Sequence, residues 1–527
     1  MASVVLSGFS GTGKSSVGPL VASRLGLPFL DTDQEVARRA GLSVAEIWRT
    51  QGERAFRRLE EDVVRERLTD GVPRVLSFGG GAVTSRASRL LALDHAVVVT
   101  LTARPATILA RLPDRSGLPA LAGPDPLAEI TALLALRAGA YAECHARLAT
   151  DDRSPDEVAA LVVEESRRGR IVVPLEERTY GVEVVDGAPQ TLRDNLAALR
   201  PSSLLVVSDA QVRAARGEAL SAALAGLDVA VTDVTLLPGE EHKTLASVQA
   251  IWDAAIAARL DRRSVILGFG GGVVGDLAGF AASTLLRGVR VVQSPTTLLA
   301  MVDASVGGKT GFDLAAGKNL VGTFHQPSAV VADVAHLTTL PRRDLLAGLA
   351  EVVKIALVCD DALWLDLEAR AEQLRAGEPA VLLPIIRRAI QRKAEVVRDD
   401  EREGGRRALL NLGHTVGHGL EALGGYSQLR HGEAVALGLV AEARAGERLA
   451  GTPPALTERL RALLERLGLP TEPAPGAIEA AWPLIALDKK RTGSHVALPV
   501  ARRLGEGMVA SVPLLDLALA LGVPPTG

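Results

Sequence analysis

Cysteine is nearly missing from this chain, with only Cys144 and Cys359 in 527 residues. Two thiols far apart, with no Cys-x-x-Cys spacing, exclude a disulfide framework and a thiolate metal site. They predict a reduced, cytoplasmic protein whose metal chemistry would rest on histidine and carboxylate. An excess of either charge is also missing. Lys+Arg number 59 and Asp+Glu 62, a formal net charge of −3, so nothing points to nucleic acid or a membrane surface. No apolar run reaches the ~18 residues of a membrane-spanning helix, and Met1-Ala2-Ser3-Val4-Val5-Leu6 enters a glycine loop with no basic leader. What is present, 47% hydrophobic and 23% charged residues, reads as globular, with three or four domains at about 150 residues each.

The first glycine loop has a specific form. Ser3 to Ser7 predicts a strand, Ser16 to Leu25 a helix, and between them stands Gly8-Phe9-Ser10-Gly11-Thr12-Gly13-Lys14-Ser15. Gly-x-x-x-x-Gly-Lys-Ser in a strand–loop–helix context wraps backbone N–H groups around phosphate oxygens, with Lys14 on the outer phosphates and Ser15 on Mg²⁺. Gly11, Gly13 and Ser16 complete the nucleotide set. Phe29-Leu30-Asp31-Thr32-Asp33 reads as a strand whose alternation puts both acids on one face. One of them would hold Mg²⁺ while the other accepts a hydroxyl proton. A helix over 54–68 carries Phe56-Arg57-Arg58-Leu59-Glu60, and the strand Val75-Leu76-Ser77-Phe78 ends in Gly79-Gly80-Gly81.

These motifs, in this order, make residues 1–165 resemble a shikimate kinase. The resemblance implies ATP as phosphate donor, Asp31 assisting Mg²⁺, and Asp33 as base and substrate contact. It also implies that Arg57, Gly80, Gly81 and Arg137 hold shikimate, the arginines on its carboxylate, where a planar bidentate fork suits the group. The family's lid arginine aligns with Leu118, and Arg115 stands three residues before it.

Residues 166–171 are charged and contain glycine, as a connector would, and strand patterns restart at Ile171. Strands at 203–207 and 229–236, a helix at 245–259 and a strand at 264–269 lead into Gly270-Gly271-Gly272-Val273-Val274-Gly275-Asp276, a Rossmann-like turn. Lysine-bearing glycine turns follow at Gly307-Gly308-Lys309 and Gly317-Lys318-Asn319, which in an acidic chain suggest a confined phosphate or carboxylate pocket. From Leu337 onward the pattern is mainly helical. Gly348-Leu349-Ala350-Glu351-Val352-Val353-Lys354 sets a carboxylate and an ammonium at i, i+3, and Leu410-Asn411-Leu412-Gly413-His414-Thr415-Val416-Gly417-His418 sets two imidazoles at i, i+4. With His431 they are the ingredients of an open zinc site.

Residues 172–527 resemble a 3-dehydroquinate synthase over their whole length. The carrying motifs are Pro-Gly-Glu-Glu-His-Lys, Gly-Gly-Gly-Val-Val-Gly-Asp, Ser-Val-Gly-Gly-Lys-Thr-Gly, Gly-Lys-Asn-Leu-Val-Gly-Thr-Phe, Gly-Leu-Ala-Glu-Val-Val-Lys, the His414 segment and His431-Gly432-Glu433. The resemblance implies NAD and Zn²⁺ (or Co²⁺), with Glu351, His414 and His431 as metal ligands. His418 becomes an acid/base residue that also touches substrate, and Glu403 a second proton-transfer candidate. NAD contacts map to Asp209, Glu240, Lys243, Gly271, Gly272, Val273, Asp276, Thr296, Thr297, Lys309, Lys318 and Thr338. The substrate, 3-deoxy-D-arabino-heptulosonate 7-phosphate, would meet Arg287, Asp303, Lys309, Lys318, Asn319, Lys354, Lys393, Arg407, Asn411 and Lys489 or Lys490.

The fold class expected is α/β: a P-loop kinase with a parallel sheet and flanking helices (1–165), a connector (166–171), a Rossmann-like NAD-binding α/β domain (172–336) and a mainly α-helical zinc- and substrate-binding domain (337–527). The function expected is bifunctional, with small-molecule substrates and a homodimer through the synthase part. Two alternatives stay open: a cyclase fused to a degenerate kinase module, and a metal-dependent polyol dehydrogenase of the related fold, which would release NADH.

Overall fold

A computed structural model describes residues 2–113, 121, 123–315, 317–425, 428–486, 491–492 and 494–524. Leu118 and Arg115, on which the lid reading rests, and Lys489 and Lys490 lie outside the described residues. The chain divides into two compact units, Met1–Gly181 and Val182–Gly527.

The first unit is built on β1 (Ser3–Ser7), β2 (Phe29–Asp31), β3 (Val75–Ser77), β4 (Ala96–Thr102) and β5 (Ala146–Ala149). They form one sheet in the order β2-β3-β1-β4-β5, and each adjacent pair is parallel. Central β1 is buried along its whole length, which is why Val4-Val5-Leu6 reads as an unbroken apolar run. Its side chains alternate between two cores. Val4 and Leu6 pack with Val17, Val21, Val158 and Val162, and Val5 packs with Val64, Leu76, Ile108 and Ile130 on the other face. The helices Lys14–Leu25, Glu53–Thr69 and Pro155–Arg167 supply these flanks. The last of them runs into the segment expected as connector.

The second unit continues from β6 (Tyr180–Val185), the strand in which the boundary falls. It adds β7 (Ser203–Asp209), β8 (Ala230–Leu236), β9 (Val265–Gly270), β10 (Arg290–Pro295), β11 (Lys309–Leu314), β12 (Gly317–Phe324) and β13 (Ala329–Asp333). The strands that start at or after Tyr180 follow one another in a seven-stranded sheet in the order β6-β13-β10-β9-β7-β8, with β13-β10, β10-β9, β9-β7 and β7-β8 parallel. β11 and β12 form a separate antiparallel hairpin. Helices dominate from Arg342 on, chiefly Arg342–Cys359, Pro379–Asp399, His414–Leu423 and His431–Leu449. Near the C-terminus, β14 (His495–Arg503) and β15 (Glu506–Pro513) pair antiparallel. Thus the expected α/β order, with a helical third part, is what the chain adopts. Both cysteines are free thiols. Among the described residues no helix is long and apolar enough to cross a membrane.

Candidate active sites

In the first unit the carboxyl ends of β1, β2 and β3 converge on a cavity of about 510 Å³ lined by the 10–16 loop, Asp31, Asp33 and Gly80. Gly13 caps the helix Lys14–Leu25 with φ of 97°, a conformation open to glycine without strain. The Lys14 ammonium donates to the Gly8 and Phe9 carbonyls at 2.7 and 2.9 Å. Burial lowers its pKa to about 8, although Asp33 and Asp31 pull the other way. Ser15 Oγ donates to Asp31 Oδ2 at 3.2 Å.

Asp33 reaches the cavity by a different route from the one its sequence suggests. β2 stops at Asp31, whose Oδ1 accepts from the Asp33 and Gln34 N–H groups at 3.1 and 3.3 Å and so caps the helix Thr32–Ala40. The cap bond wins over continuation of the strand. Both carboxylates line the cavity, but Asp33 comes from the first helical turn rather than from a shared strand face. Burial, with the Asp31 charge, raises the Asp33 pKa against the pull of Lys14 and Arg57.

The arginines expected on a carboxylate sit at the 80–81 turn. Arg137 Nη1 donates to the Gly80 carbonyl at 3.1 Å. A Cβ on Gly81 would lie 2.2 Å from Arg57 Nη2, so only glycine lets that guanidinium approach. Arg57 is itself held by Glu60 at 2.7 Å and Glu53 at 3.3 Å. Glu60 has no role in the sequence reading. Burial lifts its pKa to about 7, with Arg57 opposing. Its signal was available, since Phe56, Glu60, Val63 and Val64 form the buried stripe of one helix.

In the second unit β9 ends at Gly270, and Gly270, Gly272 and Gly275 hold the Gly-x-Gly-x-x-Gly spacing. Gly271 caps the helix Gly272–Thr284, which takes Val273 and Asp276 into its first turns. Lys243 Nζ reaches Asp276 Oδ2 and Asn319 Oδ1, each at 2.6 Å. Burial disfavours its charge, but Asp276 and Glu240 outweigh it and raise the pKa. Thr297 Oγ1 accepts from the Ala300 N–H at 3.2 Å. The buried Thr296 hydroxyl has no hydrogen-bond partner among the described residues. Asp209 caps the helix Ala210–Leu224, Thr338 Oγ1 accepts from Arg216, and Arg287 is exposed. Among the described residues, these three share none of the contacts that join the others.

The metal-ligand candidates come from three helices, with Glu351 on Arg342–Cys359, His414 opening His414–Leu423 and His431 opening His431–Leu449. His414 Nε2 and His431 Nε2 lie 3.5 and 3.8 Å from Glu351 Oε1. A tetrahedral ion with bonds of about 2.0–2.2 Å sets its donors roughly 3.3–3.6 Å apart. Glu351 is 0% exposed. Its Oε2 meets Lys354 Nζ, whereas Oε1 has no hydrogen-bond partner among the described residues. The other ring nitrogens are taken: His414 Nδ1 bonds the Leu412 carbonyl at 3.1 Å, and His431 Nδ1 bonds Glu421 Oε2 at 3.0 Å. With each Nδ1 donating, the two Nε2 atoms become the acceptor nitrogens on the side of Glu351 Oε1, so the donor set fits a divalent cation. His418, Glu421 and His431 also cluster, but through the Nδ1 hydrogen bond. His418 is exposed, its ring centroid 5.1 Å from that of His414.

Cations surround this point. Lys393 Nζ is 2.5 Å from both the carbonyl and Oδ1 of Asp303. Burial lowers its pKa to about 8, with Asp303 opposing. Lys309 pairs with Glu403, which accepts from Asn411 Nδ2 at 2.5 Å. Arg407 donates to the Gly307 carbonyl at 3.1 and 3.2 Å. Lys318 bridges Glu240 at 3.2 Å and Glu421 at 3.3 Å.

Two buried carboxylates hold the helices in place and were absent from the sequence reading. Glu421, 2% exposed, orients His431. Glu442, 0% exposed, accepts from the Gly413 and Val416 N–H groups at 2.7 and 2.9 Å, capping the helix that starts at His414. The three ligand helices meet backbone to backbone. A Cβ on Gly432 would lie 1.8 Å from the Ala347 carbonyl oxygen, and one on Gly438 1.9 Å from that of Gly413.

Comparison with known proteins finds relatives for both units. A family model described as shikimate kinase matches residues 10–167. Models described as 3-dehydroquinate synthase N-terminal and C-terminal match residues 233–347 and 348–491. A 3-dehydroquinate synthase of Rhodospirillum rubrum is 45% identical over 365 residues, spanning 68% of this chain and 95% of that protein. Among solved structures, 2-epi-5-epi-valiolone synthase from Streptomyces hygroscopicus with NAD⁺ and Zn²⁺ bound is similar at a TM-score of 0.59 and 32% identity, covering 65% of this chain and 95% of that one. A 2-deoxy-scyllo-inosose synthase complexed with carbaglucose-6-phosphate, NAD⁺ and Co²⁺ is similar at a TM-score of 0.58 and 25% identity, covering 67% and 99%.

Proposed function

Taking as premise that the chain belongs to the 3-dehydroquinate synthase family and carries a shikimate kinase domain, we propose the following division of labour in a bifunctional enzyme of the shikimate pathway. The second unit converts 3-deoxy-D-arabino-heptulosonate 7-phosphate to 3-dehydroquinate and phosphate. The first unit phosphorylates shikimate with ATP and Mg²⁺.

One observation carries the synthase reading: the buried Glu351 Oε1, without a hydrogen-bond partner among the described residues, lies 3.5 Å from His414 Nε2 and 3.8 Å from His431 Nε2. These three residues would hold Zn²⁺ or Co²⁺. The glycine turn at 270–276, Lys243, Thr296 and Thr297 would hold NAD. When bound, the metal supplies a Lewis acid for a substrate hydroxyl and the dinucleotide a reversible hydride acceptor.

The chain's own residues do the rest. Lys309, Lys354, Lys393 and Arg407 hold the phosphate and carboxylate and offset charge as phosphate departs. Asp303, pinned by Lys393, orients ring hydroxyls. His418, exposed beside the ligand rings, moves the proton. Glu403, set by Lys309 and Asn411, is a second proton carrier.

In the first unit Lys14 and the loop N–H groups take the phosphates, and Ser15 with Asp31 the Mg²⁺. Asp33 accepts the shikimate hydroxyl proton, and Arg57 and Arg137 bind the carboxylate. A homodimer through the synthase half is supported by Leu314, Leu320 and Phe324, which leave apolar surface exposed on the β11–β12 hairpin. Sedimentation at micromolar concentration tests it. A cytoplasmic location rests on the free thiols.

The deciding experiment incubates the purified chain with the heptulosonate phosphate and catalytic NAD⁺, with and without chelator. Phosphate release that stops with chelator and returns with Zn²⁺ or Co²⁺, without NADH accumulating, is expected. NADH accumulating without phosphate would replace this reading with a polyol dehydrogenase. ATP-dependent phosphorylation of shikimate tests the kinase half separately.

A further inference from the structure

The shikimate kinase match ends at residue 167, yet the first compact unit runs on to Gly181. The extra residues face a second cavity of about 990 Å³ in that unit. Trp48, Arg57 and Arg137 line it together with Leu175, Glu176 and Arg178. Two of these are the arginines read as holding the acceptor's carboxylate.

The extra segment is also wired to the turn that carries the acceptor site. The Glu176 N–H donates to Glu143 Oε1 at 3.1 Å. Glu143 Oε2 accepts from Arg89 Nε at 2.7 Å. Arg89 Nη1 donates to the Val83 carbonyl at 2.6 Å and the Thr84 carbonyl at 3.2 Å. The short helix Ala82–Thr84 follows directly from the 79–81 turn, whose Gly80 carbonyl accepts from Arg137 and from the Tyr141 hydroxyl. Glu143 and Arg89 are nearly sealed from solvent, at 2% and 10% side-chain exposure. Removing the Glu176 N–H therefore strands a carboxylate oxygen in the interior. Leu175 is buried, Glu176 sits in the left-handed region at φ of 55°, and a Cβ on Gly139 would meet the Glu176 Cβ at 3.2 Å.

We propose that residues 175–178, outside the kinase match, form a wall of the kinase's acceptor cavity. Through Glu143 and Arg89 they position the 79–81 turn. The inference rests on the kinase reading and adds that acceptor affinity depends on a segment the kinase family match does not include.

The test uses the full chain and a pair of substitutions at one site. Glu176→Gly keeps the N–H and tolerates the left-handed backbone, whereas Glu176→Pro removes the N–H and cannot adopt that φ. Expected is a rise of about tenfold in the KM for shikimate with Glu176→Pro, with the KM for ATP and synthase phosphate release within about twofold of the parent, and a smaller rise with Glu176→Gly, which loses the wall side chain but keeps the N–H. An unchanged shikimate KM in the proline variant overturns the proposal. If the proline variant loses synthase activity too and has unfolded, Leu175→Ala/Arg178→Ala takes its place, with the same rise expected and the same null result refuting. A parent chain that neither phosphorylates nor binds shikimate by calorimetry refutes the kinase reading itself. Shikimate binding without turnover keeps the test open on Kd.

Discussion

Removing the Glu421 carboxylate should loosen the metal without touching any of its ligands. Glu421 Oε2 fixes His431 Nδ1 at 3.0 Å, and its Oε1 holds Lys318 at 3.3 Å. In Glu421→Ala, His431 loses the partner that selects its tautomer and ring angle. A buried partner of this kind is worth about 10–100-fold in metal affinity, or roughly 1.4–2.7 kcal/mol. Lys318 keeps Glu240 at 3.2 Å, so the damage should centre on the metal. Glu421→Gln retains an acceptor of nearly the same shape and loses only the charge, so it should fall between alanine and the parent. The assay is competition with a chromophoric chelator on the whole chain at fixed pH, which reads affinity independently of turnover. His414→Ala serves as the reference for a lost ligand, and kinase activity reports that the remainder of the chain is folded. If Glu421→Ala bound Zn²⁺ within twofold of the parent while His414→Ala did not, the orienting role would be wrong.

Three further outcomes are expected. Substituting His418 by Ala should leave zinc content unchanged while lowering synthase kcat by about 10²–10⁴-fold, the range of a lost acid/base; loss of zinc measured by atomic absorption would make it a ligand. Glu442→Ala strands two buried N–H groups, at roughly 1–3 kcal/mol each, and should lower the Tm of the synthase half by roughly 4–8 °C in calorimetry, since the carboxylate caps the helix that carries His414. Lys14, with a pKa of about 8 against an ordinary 10.5, is an ammonium below pH 8 and increasingly an amine above it. Phosphate binding needs the cation, so the KM for ATP should climb towards tenfold per pH unit above 8. The nucleotide-free fold should gain stability over the same window, because the unfolded chain then holds the extra proton; a flat KM from pH 7 to 9.5 would count against a buried Lys14.

What the sequence made legible was whatever lies contiguously. The Gly8–Ser15 loop, the glycine turn after β9 and the paired spacings of Glu351/Lys354 and His414/His418 each carry their geometry in a few adjacent residues. Asp33 was placed beside Asp31 for the wrong local reason, because period-two alternation says nothing of the cap bond by which Asp31 ends the strand. Glu421 was within reach: it follows His418 by three residues on the same helix, so the face carrying both histidines also carries the acid. Glu442 and Glu60 announce themselves only as charges on apolar stripes, and which distant N–H or guanidinium they serve is a product of tertiary packing. The Glu176–Glu143–Arg89 chain joins positions too far apart for any local pattern to reveal.

The glycine contacts between the ligand helices give the site an unusual kind of gauge. Where helices are kept apart by side chains, a repacked rotamer can ease three donors outward for a larger ion. Here the helices that carry Glu351, His414 and His431 rest main chain on main chain at Gly432 and Gly438, so at those two points no side chain can yield. The tolerance of the proposed donor set towards ionic radius should therefore depend in part on the peptide backbone. An alanine at Gly432, which is not itself a ligand, would act as a shim that changes which metals the protein accepts.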